Sequence, residues 1–99
     1  VTRNRYAKRR DKNEPAIVKA LRAAGATVAI CDHPFDLLIS GIASDGVRKM
    51  AHVEVKNPDT AYGKKGLNPL QREWEAKVER LFVVDAPEVA VDCYLEMLK

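Results

Sequence analysis

At 99 residues the chain has room for one small domain with a single hydrophobic core and none for a separate recognition domain. No apolar run approaches membrane-spanning length, and the opening residues lack the hydrophobic stretch of a signal peptide. The formal charge of +3 is unevenly placed, because Arg3, Arg5, Lys8, Arg9, Arg10 and Lys12 crowd the opening segment against Asp11 alone and the remainder is slightly acidic.

Residues 1–12 show no clear apolar period and are expected to form a basic arm. Such an arm suits nucleic-acid phosphates, although a solubilising tail has the same composition. Asn13-Glu14-Pro15 then reads as a helix start, with Asn13 as cap and Pro15 in the first turn. Ile17, Val18, Leu21 and Ala24 follow at helical spacing, and Gly25 supplies a stop. Glu14 precedes Ile17 and Val18 by three and four positions, so it projects from the inward side of the first turn. An acidic residue also favours a helix N-terminus for electrostatic reasons alone.

Thr27 to Cys31 reads as a short strand, apolar on both faces and therefore central. Asp32-His33-Pro34 turns the chain. His33 is more simply a turn residue than a substrate contact, and no second histidine gives it zinc-motif spacing. Cys31 and Cys93 also lack ligand spacing and are expected as reduced core residues of a cytoplasmic protein. Phe35 to Gly41 is expected as a strand bearing Asp36, and Ala43-Ser44-Asp45-Gly46 as the turn into a returning strand over Val47 to Lys56.

Alternation places Glu54 and Lys56 on one face of that strand and Val53 and Val55 on the other. A hairpin lets Asp36 and Glu54 converge. Two carboxylates beside a backbone carbonyl are hard oxygen donors suited to Mg²⁺ or Mn²⁺, and an adjacent lysine can orient water or neutralise a phosphate. This pattern suggests metal-assisted phosphodiester hydrolysis. A pair of solvated surface charges has the same local sequence.

Asn57 to Asn68 breaks the periodicity and carries Tyr62, Lys64 and Lys65, which are candidates for DNA contact on an otherwise ordinary surface loop. Asn68-Pro69 opens a second helix, where Leu70, Trp74, Val78 and Leu81 form a stripe expected to pack on the sheet. Trp74 reads as a core or dimer-interface residue. Gln71, beside the stripe, is positioned to lean toward the active-site edge. Leu81 to Val84 is the last clear strand, and Asp85 with Pro87 suggests another helix start. Val91, Tyr94, Leu95 and Leu98 support a terminal helix, while Val91 to Leu95 also fits a strand. Helices around a mixed sheet make an α/β domain.

Glu14, Asp36, Glu54-Val55-Lys56 and Gln71, with Leu67 to Trp74 and Phe82-Val83-Val84, together resemble the PD-(D/E)xK nuclease superfamily. The similarity is to its VRR-NUC branch, especially small stand-alone phage and bacterial forms. It implies a restriction-endonuclease-like core over residues 13–99, a mixed sheet flanked by helices in the order αβββαβα. It further implies that Asp36, Glu54 and the Val55 carbonyl hold Mg²⁺, with Mn²⁺ as a substitute, and that Glu14 stabilises the attacking water or serves a second metal position. By the same resemblance Lys56 aligns the water and stabilises phosphorane charge, and Gln71 supports the substrate or the site geometry.

Family chemistry implies in-line cleavage leaving 5′-phosphate and 3′-hydroxyl ends, by a homodimer acting on branched DNA such as four-way (Holliday) junctions. The proline usual immediately before the motif aspartate is Phe35 here, with Pro34 one place earlier. Two alternatives accompany this expectation. One is a flap, fork or single-strand nuclease or nickase, and the other is a noncatalytic DNA-binding module.

Overall fold

The computed structural model describes residues 10–59 and 66–99, so Arg3, Arg5, Lys8, Arg9, Tyr62, Lys64 and Lys65 lie outside the described residues. Ile17, Val18 and Leu21 bury one stripe of the first helix, α1 (Glu14–Ala23). Its end is set by Gly25 at φ +106°, a conformation open to glycine because it has no Cβ. There the Gly25 N–H donates to the Arg22 carbonyl at 3.1 Å and the Ala26 N–H to the Leu21 carbonyl at 3.0 Å, which satisfies carbonyls the helix leaves free.

Asn13 does not cap α1 with its side chain. Its Nδ2 instead donates to the Lys56 carbonyl at 2.9 Å and the Asp85 carbonyl at 3.0 Å. The helix start is thereby tied to two segments far away in sequence.

Three strands follow as an antiparallel meander: β1 (Thr27–Ile30), β2 (Leu37–Ile42) and β3 (Arg48–Val55). The helix α2 (Pro69–Glu75) precedes β4 (Leu81–Val84), which joins β3 in parallel. The sheet order is β1-β2-β3-β4. This corrects the expectation of a central first strand. Short connections keep β1, β2 and β3 neighbours, and the parallel return of β4 fills the other side of β3. β1 is left at the edge with only Val28 buried.

Val28, Leu37, Ile39, Ala51, Val53, Val55 and Val84 form the sheet's contribution to the core beneath α1 and the last helix, α3 (Pro87–Met97). The C-terminal segment is thus helical. Ala90, Tyr94 and Met97 form its buried face, while Leu95 is exposed. Its N-cap is Ala86 and not Asp85. Gly41 has a steric role, since a Cβ built there would run into the Tyr94 ring.

α2 differs most from the reading of its sequence. Leu70 and Trp74 are 46% and 41% exposed, and the helix stops after seven residues, before Val78 can extend the stripe. The buried residue is Gln71. The architecture is a mixed four-stranded sheet with three helices in the order αβββαβα. No helix among the described residues is long and apolar enough to cross a membrane.

Candidate active site

Asp36 stands one residue before β2, not inside it as expected. The turn that delivers it is closed by the Cys31 N–H donating to the Asp36 carbonyl at 2.7 Å. The last β2–β3 pair is Leu37 with Val53, so the next position along the register sets Asp36 beside Glu54. A direct contact fixes this approach, because Asp36 Oδ2 accepts a hydrogen bond from the Val55 N–H at 2.8 Å.

The alternation expected for β3 holds. Val53 and Val55 enter the core, and Lys56 Nζ lies 3.4 Å from Glu54 Oε2 just beyond the strand end. Glu14, Asp36 and Glu54 are 4%, 3% and 4% exposed, so these are not solvated surface charges. Carboxylates withdrawn from water need compensating partners. Lys56 supplies one for Glu54, and Arg10 supplies one for the other two.

Arg10 Nη1 lies 3.5 Å from both Glu14 Oε1 and Asp36 Oδ1. Its Nη2 donates to the Cys31 carbonyl at 2.6 Å and to Asp32 Oδ1 at 3.0 Å. One guanidinium therefore joins the first turn of α1 to both ends of the β1–β2 turn. The sequence groups Arg10 with a phosphate-binding arm and passes over Asp32. Their common signal is charge close to the candidate carboxylates, but only the fold brings residues 10, 14, 32 and 36 together. Lys12, also grouped with the arm, is exposed.

No family model, curated protein or solved structure matches this chain. The site must therefore be judged on its own geometry.

Gln71 is 3% exposed and uses both ends of its amide. Oε1 accepts from the Asn68 N–H at 3.2 Å, while the Gln71 N–H donates to Asn68 Oδ1 at 2.8 Å, forming a reciprocal cap for α2. Its Nε2 donates to the Pro34 carbonyl at 3.2 Å. Gln71 thus braces the turn that carries Asp36. His33 is exposed at that turn and joined to Pro34 by a cis peptide bond.

His52 shares the Glu54 face of β3 by strand alternation. Its ring lies 5.7 Å from that of Phe35, at an interplanar angle of 59°. Burial lowers its pKa from the ordinary value by disfavouring the imidazolium. Phe35 is a fully buried anchor beside Asp36.

Carboxylate and carbonyl oxygens are donors of the kind a hard divalent cation takes. Among the described residues, Arg10 pairs with Glu14, Asp32 and Asp36, and Lys56 pairs with Glu54. Among the described residues, however, no group of three His, Cys, Asp or Glu side chains is gathered so that it could hold a metal ion. The strand register sets Asp36 beside Glu54, and Arg10 Nη1 stands within 3.5 Å of both the Glu14 and Asp36 oxygens. A groove of about 390 Å³ includes Glu14, Lys19, Arg22 and Ile30 in its lining but neither Asp36 nor Glu54. The chemistry of the paired carboxylates lies outside that groove.

Proposed function

We propose that this chain is a metal-dependent DNA endonuclease of PD-(D/E)xK type with a restriction-endonuclease-like core, acting as a homodimer on four-way junctions. The supporting observation is the Asp36–Val55 hydrogen bond. It holds one buried carboxylate beside the tripeptide bearing another, with the Lys56 ammonium at the same strand end.

Asp36 and Glu54 would hold Mg²⁺ or Mn²⁺, with the Val55 carbonyl as an added oxygen donor. Bound there, the ion would act as a Lewis acid on the scissile phosphate and favour deprotonation of the attacking water. Lys56 would face the charge that develops on the phosphorus oxygens, where a fixed cation stabilises the transition state more than the ground state. Glu14 would orient the water or serve a second ion. Gln71 acts through the Pro34 carbonyl, holding the turn from which Asp36 projects.

The pairing of Arg10 with Glu14 and Asp36 favours a second reading, a noncatalytic DNA-binding module whose carboxylates hold Arg10. Mg²⁺-dependent cleavage of a labelled four-way junction, compared with linear duplex, flap and single-stranded DNA of matched sequence, separates the readings. Paired symmetric junction cuts by wild type, abolished in Asp36→Asn and Lys56→Ala, support the resolvase. Faster cutting of flaps, forks or single strands replaces the junction by that substrate. Junction binding by folded protein without cleavage in Mg²⁺ or Mn²⁺ supports the binding module.

A further inference from the structure

We infer that the groove between α1 and the edge strand β1 is a subsite for one unpaired nucleotide of a DNA strand. This rests on the DNA-acting reading above and names the part of the substrate that this face takes.

One stripe of α1 builds one wall of the groove. Pro15, Val18, Lys19 and Arg22 recur at intervals of three and four residues and so share a side of the helix, while Ile30 of β1 forms the facing wall. By alternation Ile30 lies on the same side of the strand as the buried Val28, yet it is 55% exposed. The apolar face of β1 thus runs on past the helix. Because β1 ends the sheet, no further strand among the described residues covers this wall.

Charge is divided along the stripe. Glu14 lines the groove, and its Oε1 also lies 3.5 Å from Arg10 Nη1, so the groove adjoins the acid site. Lys19 stands about 7.5 Å farther along the helix axis at about 1.5 Å per residue, with Arg22 beyond it. Among the described residues no carboxylate pairs with either cation. Arg22 donates from Nη2 to the Val28 carbonyl at 3.2 Å, a neutral acceptor that holds the guanidinium beside the groove and leaves its charge unopposed.

Two cations beside an apolar wall match a nucleotide, which joins an anionic phosphate to a sugar and a flat base with apolar faces. The volume of about 390 Å³ falls within the range of about 300–1,000 Å³ that holds small ligands. In a paired duplex the bases stay stacked, so only phosphates reach such a groove and its apolar wall gains nothing. A nucleotide turned out of the stack uses both walls.

The test is fluorescence anisotropy in EDTA, at several NaCl concentrations, with a labelled duplex and with the same duplex carrying a short unpaired bubble. Lys19 and Ile30 are exposed, so Lys19→Gln and Ile30→Ser should fold, which circular dichroism checks. Ile30→Ser should weaken bubble binding about fivefold and leave the paired duplex and the salt dependence unchanged. Lys19→Gln should reduce the slope of log affinity against log salt by about 0.7–0.9, the loss of one phosphate contact. Lys77→Gln, the same charge change beyond α2, should bind both DNAs as wild type does. A 2-aminopurine in the bubble should brighten on binding wild type and not on binding Ile30→Ser. Equal losses for the two DNAs in Ile30→Ser, or unchanged bubble binding in both groove variants, overturn the subsite and leave the nuclease reading to the cleavage assay. Failure of wild type to bind either DNA overturns the subsite and the DNA-acting reading together.

Discussion

The carboxylate of Asp36 accepts the backbone N–H of Val55 at 2.8 Å, joining the turn before β2 to the middle of the Glu54-Val55-Lys56 tripeptide. The contact aligns two sequence segments on which the proposed chemistry depends. In Asp36→Asn the amide oxygen can still accept from Val55, but its NH₂ cannot pair with the Arg10 guanidinium. The expected stability loss is about 1–2 kcal/mol in urea unfolding. Metal-dependent cleavage should fall by on the order of 10²–10³-fold, while junction affinity in an electrophoretic assay changes little.

Lys56→Ala removes the ammonium 3.4 Å from Glu54 Oε2 and keeps Asp36 and Glu54 in place. Single-turnover cleavage should drop by about 10²-fold or more with saturating metal. Mn²⁺ binding should persist. Full cleavage in this variant would remove Lys56 from the mechanism.

Asn13→Ala cuts the ties from α1 to the Lys56 and Asp85 carbonyls. Losing these two bonds should cost about 1–2 kcal/mol by chemical denaturation. Because this tie joins the residue before Glu14 to the backbone of Lys56, kcat should fall more than KM rises.

Gly41→Ala tests the packing of α3 on the sheet, independently of the site. A methyl group would collide with the Tyr94 ring. Overpacking of this kind costs about 1–3 kcal/mol, expected as a Tm decrease of roughly 5–15 °C by circular dichroism. A smaller partner in Gly41→Ala/Tyr94→Phe should recover little, because the Tyr94 ring carbons crowd the same space as its hydroxyl.

His52 gives a pH dependence whose sign follows from burial. Its folded pKa lies below the ordinary 6.5, so the unfolded chain takes up a proton first as pH falls. The stabilising contribution is complete above about 6.5 and is lost as pH falls through the window down to the lowered folded pKa. His52→Gln should flatten the change in urea midpoint between about pH 7.5 and 5.5. The wild-type His52 imidazole resonance should titrate below the ordinary midpoint.

The sequence by itself determined the order of helices and strands as far as β4 and the two faces of β3, and left the last element open between helix and strand. Apolar spacing near the helical period, strict alternation and turn chemistry are local properties and survive without knowledge of neighbours. Glu54 with Lys56, and Glu14 on the inward side of α1, were legible for that reason. Tertiary structure alone decided that β1 is an edge, since strand order depends on how β4 returns beside β3. It also decided that Gln71, and not Leu70 or Trp74, is the buried residue of α2, because a helix cap and the Pro34 carbonyl satisfy that amide together. Asn13 and Arg10 show the same limit. Each has a local role in sequence, as a cap or a basic-arm charge, but partners up to 72 positions away for Asn13 and 26 for Arg10 decide what each does. Such contacts arise only when chain closure brings distant polar groups together, so the partners of each are groups that no local pattern contains.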